Sequence, residues 1–180
     1  MFLILIKNLI IVSIVLFLII LLSILIVVLI SKRNTRMMNK VLANLNEYAK
    51  DKELKISRTK LNGFDFIAED KVQKTYIKVI PNFSNYEVLV NGLYKWEIKK
   101  SPTDKKIYML DSVEVPILSK IESEKKINKL FIIYPSSRLL MMAVNECEYM
   151  FIYPDIDVHG YRVINYNEFE FLINSKNFNL

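Results

Sequence analysis

Apolar and polar positions are most sharply segregated at the start of the chain. Leu9 to Ile30 is a run of twenty-two residues without a charge, and only Ser13 and Ser23 in it are polar. As a helix rising about 1.5 Å per residue it spans about 33 Å, enough for a hydrocarbon core of about 30 Å. Buried helices of soluble proteins that are apolar all round are usually shorter, so the run predicts a membrane span. A cleaved signal peptide is the rival. Its apolar region is about 7–15 residues long and ends at a small-residue cleavage site. Here the run continues through Val27-Val28-Leu29-Ile30 into Ser31-Lys32-Arg33 without such a site, which favours an uncleaved anchor over residues 1–31.

A basic juxtamembrane segment, residues 32–40, overlaps the start of a helical pattern from Met37 to Lys50. In that pattern Val41, Leu42, Leu45, Tyr48 and Ala49 recur at helical spacing. The following fifty residues read as a β-meander. Lys55 to Thr59 alternates, Asn62-Gly63 marks a turn, and Phe64 to Ala68 and Thr75 to Ile80 are strands. Tyr86 to Val90 and Tyr94 to Lys99 pair across Asn91-Gly92, the strongest hairpin signal in the chain.

The second half changes character. Val113 to Asn128 is charged and helical in its latter part, and Pro116 interrupts it. Leu130 to Tyr134 is a continuous apolar run, the mark of a strand buried on both faces. Ser136 or Ser137 would cap a helix through Leu139 to Val144, and Tyr149 to Tyr153 is again an apolar strand. That succession predicts a right-handed parallel crossover. An edge strand near Tyr161 to Ile164 and a short helix from Asn165 to Leu172 close the chain. The expected fold is mixed α/β: a transmembrane helix, then one domain over residues 41–180 with a central mixed sheet flanked by helices.

Charge changes the picture less than its total suggests. The net charge is +6 and the mean hydropathy +0.23. Residues 1–40 hold five basic groups (Lys7, Lys32, Arg33, Arg36, Lys40) and no acidic ones, leaving 20 basic against 19 acidic beyond. The excess belongs to membrane topology and to attraction for anionic headgroups; a polybasic nucleic-acid binder is not indicated. With four of those charges just after the span, the positive-inside rule places the C-terminal domain in the cytoplasm of a single-pass cell-membrane protein. A single cysteine, Cys147, fits a reducing compartment, and the richness in Ile, Lys and Asn suggests an AT-rich bacterial genome.

The order of elements is similar to the core of the PD-(D/E)XK, restriction-endonuclease-like superfamily. The segment Gly63 to Trp96 resembles the nuclease-related domain found on membrane helices in bacteria. Members carry an Asp strand, a turn, a strand ending in Glu-x-Lys-Asn, and a Trp further on. Gly63-Phe64-Asp65-Phe66-Ile67 supplies the first, Tyr76 to Ile80 lies where the second belongs, and Trp96 falls near the last. In this register the family Glu is Lys78 and the family Lys is Ile80. A lysine then occupies the position of a metal ligand, and the resemblance implies an inactive member.

A second register keeps chemistry alive. Glu97-Ile98-Lys99 is a literal Glu-x-Lys, with Asp65 or Glu87 as its partner. On this alternative Asp65 and Glu97 bind Mg²⁺, Lys99 assists catalysis, and the protein is a divalent-metal nuclease acting near the membrane. Simpler accounts exist for the same residues. Asp65 beside Asn62-Gly63 commonly caps a turn, and Glu97 and Lys99 share a strand face where a solvated cross-strand pair would hold them. His159 is the only histidine and Gly only three, which leaves no usual zinc set and no phosphate-cradling loop. The leading expectation is therefore a non-catalytic, membrane-anchored interaction domain. It has no cofactor, meets the bilayer through residues 9–30, and has an unknown protein partner.

Overall fold

The computed structural model describes residues 2–50, 52–82, 86–92, 95–100, 103, 105–109, 126–145 and 148–175. Helix α1 (Phe2–Lys50) is unbroken. No Pro or Gly occurs in it, so nothing in the sequence stops the anchor from continuing into the helical pattern that follows. Every residue from Ile10 to Arg36 is exposed. Among the described residues this is the one helix long and apolar enough to cross a membrane, and a signal helix would fit its length and composition as well. The chain divides into two compact units, Met1–Lys40 and Val41–Leu180.

In the second unit the chain forms β1 (Lys55–Arg58), a 3-10 turn (Leu61–Gly63), β2 (Phe66–Glu69), β3 (Gln73–Pro81), β4 (Glu87–Val90), β5 (Lys95–Lys99) and β6 (Lys105–Met109). Then follow β7 (Lys126–Tyr134), β8 (Leu139–Ala143), β9 (Tyr149–Phe151), β10 (Asp157–Val158), β11 (Tyr161–Asn165) and α2 (Tyr166–Asn174). The fold is mixed α/β, with two mixed sheets rather than the expected single central one. A six-stranded sheet has the order β1-β2-β3-β7-β11-β10, and a five-stranded sheet the order β6-β5-β4-β8-β9. The pairs β3–β7, β7–β11 and β4–β8 are parallel, and all others are antiparallel.

Parallel neighbours need a crossover, and here the second sheet supplies it. Between β3 and β7 the chain builds β4, β5 and β6; between β7 and β11 it builds β8 and β9 before β10. The helix expected at Leu139 to Val144 is therefore corrected to strand β8, and the strand–helix–strand crossover goes with it. A single short run of Leu and Met lacks the length to hold a helix alone. The vacant edge of β4 offers it a ladder, pairing Glu87 with Leu139 through to Val90 with Met142. The strand expected at the edge near Tyr161 lies inside the sheet, between β7 and β10. Of the helical reading for Val113 to Asn128, residues 113–125 lie outside the described residues, and Lys126 to Asn128 begin β7.

Strand β7 is the axis of the core. Leu130, Phe131, Ile132 and Ile133 are all buried, as a continuous apolar run demands. Phe131 and Ile133 enter a cluster with Tyr76, Ile80, Val88, Val90, Trp96, Ile98, Tyr161 and Val163, residues drawn from both sheets. Leu130 and Ile132 point to the other side, level with Ile77 and Val79 on β3. That side also carries the buried Tyr166, Phe169 and Ile173 of α2, and Asn44 near the end of α1 donates to the Tyr166 hydroxyl at 3.0 Å. Aromatic rings fill the space between the sheets. Phe131 meets Tyr161 edge-on at 4.8 Å and Trp96 at 5.5 Å.

Candidate functional site

Asp65 stands at the corner where the 3-10 turn enters β2. Its backbone N–H donates at 2.9 Å to the carbonyl of Ile77, the residue that faces Phe66 at the end of the β2–β3 ladder. One carboxylate oxygen then accepts the N–H of Val79 at 2.8 Å. The strand has turned away at this point, so Asp65 supplies the acceptor that the β2 backbone no longer offers. Beside it, the Lys78 ammonium donates to the Gly63 carbonyl at 2.5 Å. Gly63 has φ 75°, a conformation glycine adopts without strain. Burial pushes the Asp65 carboxyl up, while the Val79 N–H and the charge of Lys78 pull it back. The cation that accompanies this carboxylate is thus a lysine from the neighbouring strand.

Glu97 lies on β5 in the other sheet. Its neighbours Trp96 and Ile98 enter the core between the sheets, so alternation turns Glu97 to the opposite face. One of its carboxylate oxygens accepts from the Asn91 side chain at 2.7 Å, and the other pairs with the Lys99 ammonium at 3.0 Å. Glu97 is 7% exposed. The pair expected to be solvated and cross-strand is instead a largely buried pair along one strand. Glu87, directly opposite Lys99, pairs with Arg138.

The structure brings Glu97 and Lys99 together and sets Asp65 on a different sheet with different partners. Among the described residues no three His, Cys, Asp or Glu side chains converge in a way that would hold a metal ion. His159 is exposed and has φ 55°; with Gly160 at φ 86° it forms the two-residue turn between β10 and β11. Both positive φ values fit a type I′ hairpin, and Asp157 accepts the Gly160 N–H at 2.7 Å.

Ser136 accepts from the first turn of a helix, but not the one expected, and Ser137 holds that helix's N-cap residue, Asn165. Ser137 donates through both its N–H and its hydroxyl to the Asn165 side-chain oxygen, each at 2.8 Å. The Ser136 hydroxyl accepts the Asn167 N–H at 2.8 Å, in the first turn of α2. No local pattern near Ser136 points to a helix thirty residues away.

A cleft with no counterpart among the sequence motifs opens at the start of the parallel strands. Its volume is about 500 Å³, and its polar lining includes Gln73, Asn128, Lys129, Asp155, Asp157 and Arg162. Burial lowers the pKa of both Lys129 and Arg162, and Asp157 partly offsets this at Arg162. Acidic and basic groups face one another here, so the cleft has no field of a single sign to draw in a polyanion. Comparisons with protein families, curated proteins and solved structures return no match.

Proposed function

We propose that this chain is a membrane-anchored, non-catalytic interaction domain, with α1 as a single span and the C-terminal domain in the cytoplasm. The observation that carries the reading is the state of the Asp65 carboxylate. It is occupied by the Val79 N–H and sits beside the Lys78 charge, while both oxygens of Glu97 are held by Asn91 and Lys99. Two acids engaged in this way on separate sheets serve the fold. Divalent-metal hydrolysis would need them around one cation.

Kinship with the nuclease-related domain belongs to this proposal. The β2–β3 pair, the Asp65 corner and the buried Trp96 support it. The two-sheet arrangement and the strand in place of a crossover helix depart from it. Orientation rests on the basic residues that follow Ile30.

The test is incubation of the full chain, in detergent or vesicles, with plasmid DNA and Mg²⁺ or Mn²⁺. The expected result is intact DNA. Cleavage abolished by both Asp65→Ala and Glu97→Ala would overturn the proposal. Sidedness is read separately, by protease digestion of the domain in inverted membrane vesicles but not in intact cells.

A further inference from the structure

Among the described residues the two sheets have four edge strands, and three of them carry charge or are only two residues long. Edge strand β1 carries Lys55 and Arg58, β6 begins with Lys105-Lys106, and β10 is two residues long. Charges and shortness are the usual means by which native edges avoid pairing with other chains. Strand β9 has no such charge. Tyr149-Met150-Phe151 is uncharged, and the apolar run goes on through Ile152-Tyr153 before Pro154. Although only three residues are strand, its hydrogen bonds to the β8 side reach from Glu148 to Ile152. The side chains are open as well: Tyr149 is 55% exposed, Met150 41% and Phe151 52%.

The phase of the ladder fixes what this edge can accept. The Val144 N–H donates to the Glu148 carbonyl at 2.9 Å, and the Ile152 N–H to the Leu140 carbonyl at 3.0 Å. With Met142 opposite Met150, these bonds place residues 148, 150 and 152 in the pairs that bond inward to β8. The backbone groups of Tyr149 and Phe151 therefore point outward, two N–H and two C=O groups spaced for another strand.

A strand identical to this one fits them. When β9 runs antiparallel to its own copy with Met150 opposite Met150, Tyr149 of each chain exchanges both backbone bonds with Phe151 of the other. Met150 then falls at a non-hydrogen-bonded pair, which is where the alternation of an antiparallel ladder requires it. Four bonds form, a two-fold axis passes between the methionines, and Tyr149 and Phe151 stack as cross-strand aromatic pairs.

We infer that β9 is a homodimer interface, joining two copies of this chain edge to edge so that their five-stranded sheets become one of ten strands. The inference rests on the interaction-domain reading and names its partner as a second copy. Confinement of both anchors to one membrane raises their effective concentration and favours pairing through a short interface.

The experiment uses the full chain in native membranes with Cys147→Ser as background, mild oxidation and non-reducing electrophoresis. Met150→Cys is expected to give a disulfide-linked dimer, since a non-hydrogen-bonded pair holds its Cα atoms about 4.5 Å apart, inside the range a disulfide spans. Tyr149→Cys alone should give none, because two copies of position 149 lie more than about 8 Å apart in this register. The double variant Tyr149→Cys/Phe151→Cys should restore the dimer. Adding Phe151→Lys to Met150→Cys should abolish it.

A Met150→Cys chain that stays monomeric, or one that cross-links no better than Tyr149→Cys, overturns the inference. So does a product joining position 150 to another protein. Carbonate extraction of the same membranes and the DNA assay report on the anchored, non-catalytic reading independently, so the two can fail separately.

Discussion

The indole N–H of Trp96 on β5 donates to the hydroxyl of Tyr161 on β11 at 3.2 Å, a buried bond that joins the two sheets across the core. The same hydroxyl lies 3.4 Å from the Gly92 carbonyl, at the hairpin that brings Trp96 into place. Tyr161→Phe keeps the ring and leaves the indole N–H without this acceptor. The expected loss is about 1–3 kcal/mol of unfolding free energy, measured by chemical denaturation with the slope unchanged. Trp96→Phe also removes ring volume and should cost more.

Alkaline pH tests the same residue. Burial pushes the Tyr161 hydroxyl up to about 12, with the nearby Asp157 charge adding and the Trp96 bond opposing. A tyrosine in the unfolded chain titrates near about 10. Between those values the folded state holds a proton that the unfolded state has released, so this contribution is intact below about pH 10 and is lost as pH rises towards 12. Spectrophotometric titration of the phenolates should show a late-ionising class, and Tyr161→Phe should make that class smaller. Tyr166, also pushed up to about 12 by burial and by Glu170, belongs to the same class.

Asp65 separates a structural carboxylate from a catalytic one. Its folded pKa is raised, so its contribution is fully present at pH values below the unfolded value and is lost as pH climbs through the folded one. Asp65→Asn keeps an oxygen for the Val79 N–H and removes the buried charge, and it should be neutral or stabilising at pH 7. Asp65→Ala leaves that N–H unpaired and should cost about 1–3 kcal/mol. Equal destabilisation by Asn and Ala in thermal melts would contradict the structural role.

Asn165 holds two donors of Ser137 and sits where β11 gives way to α2. The Glu168 carboxylate accepts its backbone N–H at 3.3 Å, as in a capping box. Asn165→Ala should lower stability by about 1–3 kcal/mol, while Asn165→Asp should retain most of it. Hydrogen exchange should show faster opening of α2 in the alanine variant and little change in β1 and β2.

What could be read from the sequence was what is local. Asn91-Gly92 marks the β4–β5 hairpin, and the run Leu130 to Tyr134 marks a strand with neighbours on both sides, because turn chemistry and double burial each leave a pattern in a few consecutive residues. The five residues of β8 carry no such mark. Leu, Met and Ala favour a helix, and only the open edge of β4, fifty residues earlier, makes them a strand. Alternation shows that a strand has two faces but not which sheet it joins, so two sheets looked like one. The site was legible to the same extent. Lys78 and Ile80 already departed from a metal-binding pattern, and the shared face of Glu97 and Lys99 followed from period two. That Asn91 and not solvent completes the Glu97 shell depends on a hairpin loop folding back, which spacing does not encode.

The routing of the crossovers has a consequence for how the domain is made. Strand β3 ends at Pro81 and its parallel neighbour β7 begins at Lys126. About 45 residues must leave the ribosome in between, several seconds at about 5–20 residues per second. Through that interval the apolar β3 has its sequence-local partner β2 but not β7, and the core between the sheets cannot close. Residues Ile77 and Ile80, fully buried in the finished protein, wait for a strand not yet synthesised. Closure of the core is therefore set by the arrival of β7, and folding should be late and concerted.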